Sequence, residues 1–403
     1  MKNYSVELIF EVVRHTGMGM AKRVLLVRGG SLGRNSGLGA AHHNLMDMLN
    51  SGNIDDWEIV AECEYSLKVT RNPFSRIWNR WFSHPRRVSR LANKLVEEGR
   101  CDLIHITDQE QAHLVPRNSK VPVTITVHDL FHLFPEKLRV GEDVVEIGDS
   151  TPGFFRRRDL KKLKDGLTRA DFLMCNSRHT HKASKQHFSK VPSVCIPMGI
   201  NVAKYHPDEQ KLEDIELPNR CNLLVVGSND PRKRMRFLCQ VIGNLSDEIK
   251  QEIHIHHVGN GGSNSGQPPI TEMAVENGIE NWTAHGSSVS DEYLMTLRVR
   301  CDALLFPSVS EGFGYPPLES MAAGMKVVCA DLPSHNELMP VDSCIPANDA
   351  GAWGEAITKL HADWKERQSS AEKNLEQDML EHSKKFDNAV FYKNLKQAYD
   401  SLV

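Results

Sequence analysis

KRVLLVRGGSLGRNSGLGAAHHNLMDML, residues 22–49, sets the fold. A short β-branched run, Val24–Val27, stops at Gly29 and Gly30. A polar, glycine-bearing loop comes next, and Ala40 to Leu49 then place apolar residues at helical spacing. Strand, loop and helix in that order open a Rossmann-type α/β domain. LIHI (Leu103–Ile106), PVTITV (Pro122–Val127), FLMC (Phe172–Cys175) and VCI (Val194–Ile196) read as further buried strands. They alternate with helical stretches at Val88–Gly99 and Leu160–Ala170. Such alternation predicts a mostly parallel sheet covered by helices on both faces.

The pattern then restarts. LLVV (Leu223–Val226) precedes a polar, proline-bearing turn and a helix over Met235–Leu245. IHIHHV (Ile253–Val258), DALLF (Asp302–Phe306) and KVVCA (Lys326–Ala330) supply strands for a second sheet. The expected fold class is α/β, with two Rossmann-like domains whose mostly parallel sheets face each other across a cleft. Residues 21–205 form the first domain and 206–385 the second, with a polar junction near Gly199–Asn219. Residues 386–403 read as an amphipathic helix packing back on the first domain, and 1–20 as a disordered extension.

Composition narrows the classes. Of 403 residues, 40% are hydrophobic and 25% charged, as in ordinary globular proteins. No run approaches the roughly 18 apolar residues of a membrane-spanning helix. Glu7, Glu11 and Arg14 break the apolar character of the N-terminus, so no secretory signal is expected there. Nine scattered cysteines without Cys-x-x-Cys fit a reducing, cytoplasmic setting. Residues 1–210 hold 31 Lys+Arg against 24 Asp+Glu, and the remainder 18 against 28. A basic and an acidic half suggest domains with different partners.

Four segments bear on chemistry. In FPSVSEGFGYPPLESMAAG, residues 306–324, a strand runs into a glycine loop and then a proline-started helix. Gly312 and Gly314 allow close backbone approach to a ligand, and the helix start offers N–H groups to an anion. Glu311 sits in the loop, and Glu319 about one turn into the helix. In VVGSNDPRKR, residues 225–234, Arg232 and Lys233 stand just past a strand end, beside Ser228. Two fixed cations there would offset charge developing on a diphosphate leaving group. No Asp-x-Asp occurs, so no metal and no cofactor are expected. His128-Asp129 ends the strand Val123–Val127, where Asp129 either orients His128 or caps the next turn. Gly37 and Gly39 lie in the N-terminal loop, but His42 occupies the third position of a dinucleotide fingerprint, which therefore fails.

These segments resemble the retaining family-4 glycosyltransferases of the GT-B fold. Glu-Gly-Phe-Gly-x-Pro-Pro-Leu-Glu (Glu311–Glu319) matches that family's Glu-x7-Glu motif. Gly-Ser-x-x-Pro-Arg-Lys (Gly227–Lys233) matches its basic turn, with Ser228 in place of threonine. TVHDL (Thr126–Leu130) and the Gly37–Gly39 loop match its N-terminal site. The resemblance runs from about Lys22 to the C-terminus, is strongest over 222–338, and is weak over about 50–100 and 138–160. It implies a retaining, metal-independent hexosyltransferase using a GDP- or UDP-sugar on a glycan or lipid-linked acceptor, as in cell-surface polysaccharide synthesis. His128, Glu311, Arg232 and Lys233 would be catalytic. Gly37, Gly39, Ser228, Gly312, Phe313, Gly314 and Glu319 would hold the donor. Gly286, in HGSSVSDEYL (His285–Leu294), would sit by the nucleobase, held largely by backbone. The alternatives are a nucleotide-sugar epimerase, a Rossmann oxidoreductase, which the failed fingerprint disfavours, and a non-catalytic homologue serving as a binding partner.

Residues 71–90, RNPFSRIWNRWFSHPRRVSR, mix six arginines with Phe74, Ile77, Trp78, Trp81 and Phe82. Ile77, Trp78, Trp81 and Phe82 share one helical face, which would lie on an anionic inner membrane face or pack into the core. No nucleic-acid-binding motif is present.

Overall fold

The strand ends, more than the strand interiors, decide where this protein can bind anything. The computed structural model describes residues 21–33, 37–65, 72–141, 143–209, 212–341, 343–368 and 375–403. The expected extension 1–20, residues 34–36 of the N-terminal loop and Arg71 lie outside these.

The first sheet takes β1 (Lys22–Gly30), β2 (Trp57–Tyr65), β3 (Leu103–Ile106) and β4 (Val123–Val127). A hairpin of β5 (Glu136–Val140) and β6 (Asp143–Ile147) projects beyond it. The sheet is completed by β7 (Phe172–Cys175) and β8 (Ser193–Cys195), in the order β2-β1-β3-β4-β7-β8, all parallel. The second sheet is built from β9 (Cys221–Val226), β10 (Ile253–Val258), β11 (Trp282–Gly286), β12 (Ala303–Phe306), β13 (Lys326–Asp331) and β14 (Ile345–Pro346). Its order is β11-β10-β9-β12-β13-β14, again all parallel. The direction of winding therefore reverses between β1 and β3 in one sheet, and between β9 and β12 in the other. Ligands of open α/β sheets bind beyond such reversals, at the carboxyl ends of the strands. The β9–β12 ladder holds only two residue pairs, Ala303 with Leu223 and Leu304 with Leu224. Past them the strands are unpaired, leaving an opening at their ends.

β2, unread in the sequence, alternates Trp57, Ile59, Ala61, Cys63 and Tyr65 with mostly polar residues, which suits an edge strand with unequal faces. The runs Val24–Val27 in β1, Leu223–Val225 in β9 and Ala303–Phe306 in β12 are apolar and buried.

The domains exchange elements. Val140, Val145 and Ile147 of the hairpin join the second domain's core, beside Phe237, Trp353 and Ala347. The helix Asn388–Asp400, last in the chain, returns to the first sheet. There Phe391, Leu395 and Tyr399 pack in one cluster with Leu26, Leu45, Met174 and Ile196. Asp400 Oδ1 accepts from Lys22 Nζ at 3.1 Å and Trp57 Nε1 at 3.0 Å, and Asn44 and Asn388 exchange amide hydrogen bonds.

Candidate functional site

Beyond β9 the chain turns through Gly227–Asp230 into a short 3₁₀ turn, Pro231–Lys233. Asp230 caps it, accepting from Arg232 N at 3.0 Å. Arg234 comes next in the left-handed region, φ 53°. That conformation costs a non-glycine residue on the order of 1 kcal/mol or more, and it turns the backbone directly into the helix Met235–Gly243. Lys233 is thereby aimed across the opening toward the loop after β12.

That loop presents Glu311, which is buried. Its Oε1 meets Lys233 Nζ in a very short ion pair and accepts from Ser308 Oγ at 2.6 Å. Its Oε2 meets Arg232 Nη1 at 3.1 Å, and the same guanidinium nitrogen donates to Ser310 O at 2.8 Å. Burial alone would raise the Glu311 carboxyl. Lys233 and Arg232 overcome that and hold it at about 2. Burial pushes the Lys233 ammonium down against the pull of Glu311. At Arg232 burial also pulls down, but Glu311 and Asp230 outweigh it and lift the guanidinium. Arg232, Lys233 and Glu311 thus come together as one cluster of two cations and one anion.

Gly312, the next residue, explains its own identity. A Cβ there would lie 2.3 Å from the carbonyl oxygen of His128, in the other domain. The two sheet edges touch at this point. His128 Nε2 donates to Thr107 O at 3.1 Å. Its backbone is fixed by Gln109 Oε1, which accepts from His128 N at 2.8 Å. Asp129 does not orient the imidazole. Its Oδ1 accepts from Phe131 N at 3.2 Å, capping the next turn, and burial raises its carboxyl. Its charge is felt by Arg232 across the cleft. Asn176, at the end of β7, is buried beside Gly312 with its Oδ1 unpartnered, an acceptor free for a hydroxyl.

The remaining expected residues fall at several points around this cluster. Gly314 caps the helix Tyr315–Ala322 at φ 113°, a backbone only glycine adopts freely. Phe313 turns its ring into the core against Tyr315 and Phe386, so only its backbone faces the loop. Glu319 accepts from Tyr205 OH at 3.0 Å and pairs closely with Arg298. Neither partner is legible in the sequence, since Tyr205 lies 114 residues away. Ser228 stands just past the β9 end, and Gly286, φ 77°, closes β11 on the same sheet edge. Gly37 and Gly39 are not in a loop: helix α1 (Gly37–Asn50) already begins at Gly37, so both lie in its first turn. They form the first turn of the helix that follows β1 in the chain.

One group of possible metal ligands occurs among the described residues: His42, Glu62 and Glu64, whose ligand atoms lie within 4.8 Å of one another. His42 is already bonded to Glu62 at 2.8 Å and Thr107 at 3.1 Å, and the Arg28 guanidinium faces both carboxylates in a cation's place.

Comparison with known proteins gives the setting. A family model described as "Glycosyl transferases group 1" matches residues 220–363, and one described as "Glycosyltransferase Family 4" matches 55–204. The O-antigen chain mannosyltransferase B of Escherichia coli is 28% identical over 157 residues, 39% of this chain and 37% of that protein. The MMP alpha-(1->4)-mannosyltransferase of Mycolicibacterium hassiacum is 25% identical over 136 residues, 34% of this chain and 30% of that one. The matched stretch is thus under two-fifths of the length of these curated relatives. Among solved structures, sucrose-phosphate synthase from Thermosynechococcus elongatus superposes with TM-score 0.67 at 16% identity, covering 94% of this chain and 99% of that one. Anabaena HepE in complex with UDP gives 0.63 at 15%, covering 94% and 100%. The shared architecture is GT-B, two Rossmann-like domains with parallel sheets.

Proposed function

We propose that this chain, whose two domains each match a glycosyltransferase model, transfers a hexose from a GDP- or UDP-sugar to a glycan or lipid-linked acceptor. The observation that carries this reading is the Arg232–Lys233–Glu311 cluster at the β9/β12 reversal, in touch with His128 through Gly312. Mannose is the sugar we favour, because several curated relatives bear mannosyltransferase names.

In the reaction proposed, the donor diphosphate lies against Arg232 and Lys233, with the first turn of α1 approaching from the other domain. The bond from the anomeric carbon to the β-phosphate oxygen breaks, and negative charge grows on that oxygen. Two preformed cations meet it without reorganising, which is where electrostatic stabilisation contributes most. Glu311 keeps both cations aimed. Glu319, itself fixed by Arg298 and Tyr205, accepts from the ribose hydroxyls. The backbone of Gly312–Gly314, His128 and Asn176 surround the hexose. The acceptor hydroxyl attacks from the face the phosphate leaves, and its proton passes to the departing phosphate oxygen, so configuration is retained and no metal takes part. The setting proposed is the cytoplasmic face of an anionic membrane, reached through residues 71–90. Among the described residues no helix is long and apolar enough to cross a membrane.

The test is a thermal-shift panel of UDP- and GDP-sugars, run with chelator. A ligand that binds only the folded state raises Tm by mass action. One base family should raise Tm, and Glu319→Ala should abolish the shift. Absence of any shift, together with no sugar transfer to endogenous lipid or glycan extracts, would overturn the reading.

A further inference from the structure

All five strongly exposed aromatics among the described residues lie on one face of the N-terminal domain. α2 (Pro73–Trp78) and α3 (His84–Glu97) are joined by a π turn, Asn79–Ser83, into one bent helix. It carries Phe74 and Trp78, 79% and 61% exposed, with Phe82 at its centre. α4 (Phe154–Arg169) opens beside it with Phe154 and Phe155, 64% and 56% exposed. Trp81 links the two groups, 6.2 Å from the Phe155 ring, and Trp78 lies 5.1 Å from Phe82. The other large exposed apolar residues are valines scattered elsewhere. A continuous aromatic strip of this kind is unfavourable in water and marks a contact surface.

Next to the strip, α3 and α4 enclose a groove of about 530 Å³. Arg86, Arg90, Arg117, Lys162 and Arg169 line it, with Asp165 the single carboxylate. None of these five cations makes an ion pair with a described carboxylate. The layer beneath behaves oppositely. There Arg80 binds Asp159 at 2.8 Å, and Arg156 binds Glu110 at 2.9 Å and Asp159 at 3.0 Å, so each inner cation is neutralised. Burial, then the charge of Arg158, lowers the Lys162 ammonium, and burial with Arg117 lowers Arg169. Lys162 lies 4.8 Å above Trp81 and 5.2 Å from Phe82, which ties the groove to the strip. Arg169 is held by Asp165 O and Val115 O, but five cations set against one carboxylate repel one another unless an anion enters. Apolar rings at their edge suit an anion that is itself anchored in an apolar phase.

We propose that this face seats the protein on an anionic bilayer, with Phe74, Trp78, Phe82, Phe154 and Phe155 entering the interfacial layer and the α3–α4 groove holding a phospholipid phosphate. It rests on the membrane contact proposed above for residues 71–90, and adds to it α4 and a discrete phosphate site.

The test is co-sedimentation of the full chain with vesicles of phosphatidylcholine alone, or mixed with phosphatidylglycerol. Binding is expected only to the mixed vesicles, and should fall steeply with salt. Each groove cation contributes roughly a fivefold change in binding. Arg117→Glu with Arg169→Glu should therefore weaken binding by more than about a hundredfold, since each reversal counts about twice. Lys182→Glu with Lys185→Glu, the same charge change on helix α5 (Arg178–His187), should cost far less. Brominated lipid should quench tryptophan fluorescence in the wild type and lose most of that effect in Trp78→Phe. Equal effects of the two double variants would overturn the groove while leaving membrane contact standing. Equal binding to both vesicle types, or displacement by single-stranded oligonucleotide in preference to phosphatidylglycerol, would overturn the membrane seat. A retained donor-induced Tm shift in every variant separates either failure from a failure of the glycosyltransferase reading.

Discussion

The two sheet edges that meet at Gly312 and His128 are built on opposite principles. The second domain's edge is charged: one buried carboxylate holds two cations within hydrogen-bond reach, leaving these three groups with a net positive charge. The first domain's edge is lined mainly by imidazoles and hydroxyls, with Asp129 a charge felt across the cleft. His105 Nδ1 lies 2.5 Å from Tyr399 OH and its Nε2 2.7 Å from Thr126 Oγ1, while His42 meets Thr107 Oγ1 at 3.1 Å. Burial holds the His105 imidazole down at about 3, uncharged at any ordinary pH. A charged edge can respond to a leaving group, whereas a hydrogen-bonded edge can orient hydroxyls without competing for the phosphate. On the proposed function, this difference would divide the work between the two domains.

The contrast breaks most severely at the charged edge. Lys233→Ala removes one of the two cations proposed to meet the leaving group and leaves Glu311 with Arg232 as its one cation beside Ser308. Turnover should fall about 10²- to 10³-fold, the usual cost of losing one transition-state charge contact, with the donor-binding Tm shift reduced. A wild-type rate in a folded variant would remove Lys233 from the mechanism. Gly312→Ala attacks the contact between the edges. Its Cβ cannot fit 2.3 Å from a carbonyl oxygen, so the edges must separate. The expected cost is about 1–3 kcal/mol of stability and a loss of turnover exceeding that of any alanine change in the α4 surface. Calorimetry and steady-state rates on the same sample read both.

Titration sharpens the contrast further. Glu311 has its folded value depressed to about 2, so its ion pairs stabilise fully above the ordinary carboxyl value of 4.5 and are lost as pH falls toward 2. His105 is also depressed, from 6.5 to about 3. Below 6.5 the unfolded chain takes up a proton that the folded edge refuses, so stability begins to fall about two units earlier than at Glu311. His105→Gln should flatten the fall between about pH 6 and 3, by up to about 1.4 kcal/mol per pH unit, and leave in place the loss that Glu311 adds between 4.5 and 2. An identical profile would mean that the His105 ring is solvated. The smallest effect is expected from Ser308→Ala, which removes one of the hydrogen bonds to Glu311 Oε1: about 1 kcal/mol in Tm-derived stability and a few-fold in kcat.

The charged edge is readable in the sequence because it is nearly contiguous. Glu311 to Glu319 form one motif, and Arg232 and Lys233 stand past a strand whose apolar run is unambiguous. The first domain's edge is readable only at His128. His105 and Tyr399 stand 294 residues apart, and no local pattern links them. The same holds for Tyr205, Arg298 and Glu319. Residues 71–90 mislead for a different reason. A regular helix groups Trp78 with Ile77, Trp81 and Phe82, yet the π turn Asn79–Ser83 inserts an extra residue and rotates the rest of the helix. Arg80 turns inward to Asp159, Trp81 donates to Asp159 Oδ1 at 2.9 Å, and Trp78 is left outside. The hairpin β5–β6 falls largely within a region of weak resemblance. Its apolar residues complete the other domain's core, and periodicity cannot say whose core a strand will join.

The return of the helix Asn388–Asp400 to the first sheet has a temporal consequence. Tyr399 is fully buried there, and Phe391 and Leu395 cover Met174 and Ile196. A ribosome makes residues 22–195 first, but that sheet keeps one apolar flank uncovered until residues 388–400 emerge from the exit tunnel. The first domain begun is therefore the last to be finished, and a nascent chain stalled between the domains would offer chaperones the surface that the helix later closes.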